Sequence, residues 1–147
     1  MAVEVVELDD GRAPLPPQAL QPRITLVTLG VAYIARARAY YELLGFKASS
    51  VSNPTVTFMQ LGAVVLSLYG RAALALDAHV ADTPAGFSGV AMAHNVGSPA
   101  EVDAKLAHAV ACGGTLAKPG QTAFWGGYSG YFTDPDGHAW EVLFDGD

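Results

Sequence analysis

Residues Trp125 to Phe144 read W-G-G-Y-S-G-Y-F-T-D-P-D-G-H-A-W-E-V-L-F. Two aromatic, strand-forming runs flank Asp134-Pro135-Asp136-Gly137, a tight turn in which proline presets φ and glycine takes a positive φ without steric cost. In the second run every residue from Ala139 to Phe144 is apolar except Glu141. A carboxylate in so apolar a strand is costly to bury unless something pairs with it. Glu141 is therefore either the anchor of a site or an acid satisfied within the fold.

Working outward, the chain repeats itself. Ile24 to Leu29 is β-rich, a helix is expected from about Tyr33 to Leu44, and Gly45 precedes a second strand from Phe46. Val90 to Val96 is again strand-like, followed by a helix from Ser98 to about Ala111, then Gly113-Gly114 and a strand from Thr115. Ser98 is placed to cap that helix, Pro99 occupies its first position and Glu101 completes a capping box. Val102, Leu106 and Val110 recur every four residues and form one apolar stripe. Neither Ala32 nor Tyr33 offers the first helix a capping side chain. Further strands are expected at Thr55–Leu61 and Ala63–Tyr69 around Gly62, and at Thr122–Trp125, Tyr128–Thr133 and His138–Phe144, joined by Gly-Gly and D-P-D-G turns.

Each half thus reads strand, helix, then three strands. Module one spans about 23–70, a linker 71–86 (a short helical piece at Arg71–Leu76 and a loop with Pro84-Ala85-Gly86), and module two about 87–145, within a domain of 23–147. Residues 1–22 read as an N-terminal extension. Val3 to Leu8 suits a short strand, but Asp9-Asp10-Gly11 and then Pro14, Pro16, Pro17 and Pro22 break regular structure. An arm lying on a partner subunit and a mobile tail are both consistent with that pattern.

The 147 residues fit one domain, and 51% hydrophobic against 15% charged residues supplies a sizeable core. A net charge of −6 argues against nucleic acid or an anionic membrane surface as partner. No apolar run approaches the about 20 residues of a membrane span, and the expectation is a soluble, cytoplasmic protein. The single cysteine, Cys112, permits no internal disulfide and reads as a small buried thiol.

T-L-G-V at 28–31, A-Y-Y-E-L-L-G-F at 39–46, A-H-N-V at 93–96 and Y-F-T-D-P-D-G-H-A-W-E-V at 131–142 carry a family resemblance. Over about residues 23–145 the chain resembles the vicinal oxygen chelate superfamily, the group of glyoxalase I, bleomycin-resistance proteins and extradiol dioxygenases. The resemblance implies an α+β fold of two βαβββ modules, forming a curved mixed sheet around a cavity with helices outside, in a homodimer. Metal-dependent members hold one divalent ion on the first and last strands of the modules, and Glu141 falls at the last-strand position of module two. Counting back from Val96 gives Ala91 as its first-strand partner. Aligning Val31 with Val96 gives Leu26, and aligning Gly62 with Gly137 gives Leu66, or Val65 or Ser67 if the register slips. Leu26, Leu66 and Ala91 cannot ligate, and one carboxylate does not hold a divalent ion against water. No cofactor is expected and a divalent metal is disfavoured.

Strand alternation puts Ala139, Glu141 and Leu143 on the cavity face with Leu26, Thr28, Gly30, Ala91, Ala93 and Asn95. The same alternation turns His94 toward the helices, where a hydrogen-bonded core histidine is the expectation. His79 and His108 read as surface, and His138 as a candidate for the cavity rim. Thr28, Asn95 and Glu141 are then the polar points of a largely apolar wall, the usual make-up of a small-molecule site. Trp125, Tyr128 and Tyr131 either supply a stacking wall or fill core or a dimer seam. Three readings of Glu141 stand: a general base acting beside a carbonyl, an acceptor for a ligand's polar end, or a carboxylate satisfied by Thr28, Tyr131 or backbone donors. The expected function is metal-free binding of a small molecule, such as sequestration of a toxic metabolite. The alternatives are a lyase, isomerase or dioxygenase of the same family using Glu141 as base or metal ligand, and an interaction module whose cavity is packed core.

Overall fold

The alternating runs and the capped helices form the expected elements. The computed structural model describes residue 11, residues 13–83 and residues 86–146; the strand expected at Val3–Leu8 and the Pro84-Ala85 pair lie outside the described residues. In chain order the elements are β1 (Leu26–Val31), α1 (Ile34–Leu44), β2 (Val56–Leu61), β3 (Val64–Gly70), α2 (Arg71–Ala78), β4 (Ala91–Asn95), α3 (Pro99–Ala111), β5 (Thr115–Thr122), β6 (Tyr128–Thr133) and β7 (Ala139–Phe144). They build a three-stranded sheet, β1-β3-β2, and a four-stranded sheet, β4-β7-β6-β5. In each, the first strand runs parallel to the last, and the strand before the last pairs antiparallel with it. The fold is α+β, and its pairing repeats as the sequence does.

The capping box forms as expected: Glu101 N donates to Ser98 Oγ at 3.1 Å, and Glu101 Oε2 accepts from Gly97 N at 3.1 Å. Two expected strands differ. The strand from Phe46 shrinks to a single bridge, Ala48 to Met59. Phe46 N still donates to Tyr41 O at 2.9 Å, so the helix end holds it, and its ring stacks on Tyr41 with centroids 5.8 Å apart. Beyond Ala48, Ser52 N bonds Ser49 O at 3.0 Å and turns the chain away. The strand expected at Thr122–Trp125 does not stand alone, because β5 already runs from Thr115 to Thr122 and Gly126 N closes a turn on Ala123 O at 3.0 Å. Two register shifts interrupt β5, and Pro119, which has no N–H to give the ladder, lies within the second.

The core lies between the sheets and the helices. Leu29, Val31, Met59, Leu66 and Leu68 join Ala37, Tyr40 and Tyr41 of α1, Val102 and Leu106 of α3, and Phe132, Trp140 and Val142. Burying each large apolar side chain contributes about 1.5–3 kcal/mol. Gly130 is needed for this packing, since a Cβ there would sit 2.5 Å from Leu106 Cδ1 and 2.7 Å from Lys118 O.

The D-P-D-G turn is the clasp between the halves. Asp134, 3% exposed, accepts from Asp136 N (2.9 Å) and His138 N (2.8 Å) through Oδ1, and from the Tyr41 hydroxyl (2.5 Å) through Oδ2. Trp140 Nε1 in turn donates to that hydroxyl at 3.1 Å. Asp136 Oδ1 accepts from Ala32 N at 2.8 Å and from Arg36 Nη2 at 2.9 Å, and His138 Nε2 lies 2.8 Å from Gly30 O. Gly137, at φ 86°, takes the left-handed conformation the turn requires. Every one of these outward contacts reaches β1, α1 or the residues joining them.

Burial first, and the Asp134 charge second, push the Tyr40 and Tyr41 phenols well above their ordinary range near 10. The folded protein therefore keeps phenolic protons that the unfolded chain releases, so this stability is complete below pH 10 and falls as the pH rises above it. The denaturation midpoint should drop between pH 9.5 and 11, by up to about 1.4 kcal/mol per pH unit for Tyr41 alone. Tyr41→Phe should flatten that slope, and an unchanged slope would rule out the assignment. At pH 7, Tyr41→Phe and Asp134→Asn should each cost about 1–3 kcal/mol. The double variant should fall short of their sum by about 1 kcal/mol, whereas strict additivity would mean the bond carries no coupling.

Candidate functional site

Because Trp140 and Val142 pack under the helices, Ala139, Glu141 and Leu143 face the other side of the four-stranded sheet. Register aligns Ala93, Glu141 and Tyr131 in one row, Asn95, Leu143 and Ser129 in the next, and Ala91, Ala139 and Thr133 on the other side. In the three-stranded sheet, Thr28, Ser67 and Phe58 form the corresponding row. This face is deepest along its central strands: Ser67, Ser129 and Leu143 are buried, whereas Ala91, Ala93 and Asn95 at the β4 edge are exposed.

Glu141 is half-buried, with methyl groups on one side and the Tyr131 phenol on the other. Burial raises the Tyr131 phenol above its ordinary value, and the charge and hydrogen bonding of Glu141 raise it further. The pair is thus a carboxylate beside a phenol that stays protonated. Asn95 lies on the same face, opposite Leu143, and Thr28 holds the corresponding row of the other sheet. The half-buried Trp125 ring lies across Gly127 in the β5–β6 loop, where any Cβ would strike it.

Tyr128 is a correction to the expected stacking wall. Its place in β6 turns it to the helix side, where its hydroxyl donates to Asp103 Oδ1 of α3 at 2.9 Å. His138 is held by Gly30 and joins the two halves. Leu66 is 2% exposed in the helix-covered core, and Ser67 takes the place facing Thr28 that Glu141 takes facing Ala93. Alignment on the turn glycines missed this by one residue, which in a strand means the opposite face. Lys118, the register partner of Tyr131 on β5, was also missed, because the β5 irregularity hides its parity.

The residues in these positions do not fit a divalent ion. Leu26, Ala91 and Ala93 have no donor atoms, Ser67 offers only a neutral hydroxyl, and among the described residues no three or more His, Cys, Asp or Glu gather where they could hold a metal.

Residues 23–142 match the Glyoxalase/Bleomycin resistance protein/Dioxygenase superfamily. Among solved structures, a glyoxalase-related enzyme from Fulvimarina pelagi is 34% identical, with a TM-score of 0.78 over 84% of this chain and 88% of that one. A glyoxalase/bleomycin resistance protein/dioxygenase from Nocardioides is 26% identical, with a TM-score of 0.70 over 87% and 86%. A glyoxalase/bleomycin resistance protein/dioxygenase family enzyme from Burkholderia phytofirmans PsJN is 21% identical, with a TM-score of 0.73 over 82% and 96%, which speaks to the fold alone. No curated protein sequence matches the chain significantly.

The Glu141–Tyr131 contact is open to direct measurement. In Glu141→Gln, the Tyr131 phenol should titrate at lower pH than in the parent protein, because the charge disappears while burial stays. NMR of ring-labelled tyrosine reports that midpoint, and an unmoved midpoint would show that the two groups do not interact.

Proposed function

This chain belongs to the Glyoxalase/Bleomycin resistance protein/Dioxygenase superfamily, and from that premise we propose that it binds a small molecule on its open sheet face without a metal. The observation that supports this reading is Glu141: a half-buried carboxylate beside a protonated phenol, flanked by Ala91 and Ala93, with no second metal-competent side chain in its row. An apolar surface with few convergent polar groups suits a ligand that presents a hydrogen-bond donor to the carboxylate and an acceptor to the phenol. Thr28, Asn95, Trp125 and Lys118 supply further contacts around that anchor.

A second copy of the chain completes the site in this reading. Leu26, Phe87, Val90 and Phe124 are exposed apolar residues, and a face left open within one chain is enclosed by pairing two. No helix among the described residues is long and apolar enough to cross a membrane. The single free cysteine suits the reducing cytoplasm, where we place the protein.

Catalysis is the second reading, favoured by the phenol beside the carboxylate. Glu141 would take a proton from a carbon next to a carbonyl, and Tyr131 would donate a hydrogen bond to the enolate oxygen that forms.

A thermal-shift screen of divalent metals, thiol conjugates and aromatic antibiotics tests these readings, since a ligand of the native state raises the melting temperature by mass action. At least one organic compound should raise it, and Glu141→Gln should weaken that compound about tenfold. Conversion of the compound, abolished in Glu141→Gln, would favour the catalytic reading. One equivalent of tightly bound transition metal in the purified protein would overturn metal independence, and a monomer in light scattering would remove the paired site.

A further inference from the structure

We propose that the chain carries a second ligand site, on the helix-covered side of the four-stranded sheet, that takes a small aromatic carboxylate. Between the end of α1 and the flank of α3 lies a cavity of about 290 Å³. Its floor is Phe132, Trp140 and Val142, all buried, and its wall is Leu44 and Phe46. Trp140 and Val142 are the sequence neighbours of Glu141 on β7, so alternation puts this cavity and the Glu141 face on opposite sides of one strand. The two sites do not share a side chain.

The chemistry of the cavity is amphipathic. Phe132 and Trp140 stack nearly parallel at 6.1 Å and 3°, while Phe46 tilts against Trp140 by 51° at 6.0 Å. Three aromatic rings in these orientations offer both faces and edges to a flat guest. At the rim stand His94, Lys105 and His108. Lys105 and His108, three residues apart on α3, share a helix face, and His94 is the register partner of Val142. His108 is pinned, with Nε2 3.0 Å from Leu43 O. Lys105 and His94 have no ion-pair or hydrogen-bond partner among the described residues, so His94 is a rim group and not the hydrogen-bonded core histidine expected from the sequence.

The neighbouring acids are engaged elsewhere. Glu101 caps its own helix through Gly97 N, Glu42 pairs with Arg38 at 3.5 Å, and Asp103 accepts from Tyr128 on the far side of α3. A cation without an ion-pair partner at the mouth of an apolar cavity favours an anion attached to an apolar body. The volume is at the lower end of small-molecule pockets and suits about two fused rings with one carboxylate.

Titration calorimetry with 2-naphthoate, followed in parallel by tryptophan fluorescence, tests the proposal, with 2-naphthamide as the uncharged comparator. The naphthoate should bind once per chain and the amide about tenfold more weakly. Lys105→Glu should weaken the naphthoate at least tenfold. That variant adds a repulsion with Glu101 one turn away, so Lys105→Gln, which removes the charge without adding another, should show a loss in the same direction at an unchanged melting temperature. Glu141→Gln should leave naphthoate binding as it is, which separates this site from the proposed one on the open face. Absence of binding, equal affinity for acid and amide, or affinity untouched in both Lys105 variants would each overturn the proposal. Loss of naphthoate binding in Glu141→Gln alone would place the probe on the open face and overturn it equally.

Discussion

The hydrogen bond from the Tyr41 hydroxyl to Asp134 Oδ2, 2.5 Å long and buried, is the contact on which the rest of this structure depends. Asp134 shapes the turn before β7 through two backbone N–H groups, and the same carboxylate fastens that turn to α1 of the other half. Trp140 completes the chain of bonds, so the first apolar residue of the β7 core face is oriented by the helix it packs against. An acid buried to this degree is tolerated because both of its oxygens have donors. The turn therefore sets the register of β7, and β7 carries Glu141 on one face and the aromatic floor of a cavity on the other.

This arrangement explains why one short motif marks the whole fold. Asp136 and His138 extend the clasp to Ala32, Arg36 and Gly30, so two further residues of module two touch the end of β1 and the start of α1. The halves are joined through α1 and the turn, on the side of β7 that carries Trp140 and Val142. The half-buried Glu141, beside Tyr131, sits on the other side of that strand. A strand of alternating residues thus serves packing with Trp140 and Val142 and site chemistry with Glu141, and neither role compromises the other.

Much of the fold could be read from the residues. Both long helices, the turn and seven of the strand segments follow from capping residues, spacing and glycine positions, all local signals. The expectation of a strand from Phe46 failed because Phe46 is more valuable to the core against Tyr41 and Trp140 than to a sheet ladder, a preference set by distant side chains. The face of Glu141 was legible from alternation, while its nearest polar partner among several candidates was not. Tyr128 and Tyr131 are three residues apart in one strand, so they occupy opposite faces; Asp103 claims the first and Glu141 the second.

The sequence by itself determined the two-module plan, the capped α3, the clasp motif and the isolation of Glu141 among apolar neighbours, because these rest on contacts within a few residues. Only the tertiary structure decided that Ser67 and not Leu66 stands opposite Thr28, since a strand offers no local clue to a one-residue slip. It also brought His94, Lys105 and His108 to the mouth of one cavity from a strand and a helix that the sequence treats separately. Side chains converge on such a place through packing between elements, and packing of that kind leaves no periodic trace in the chain.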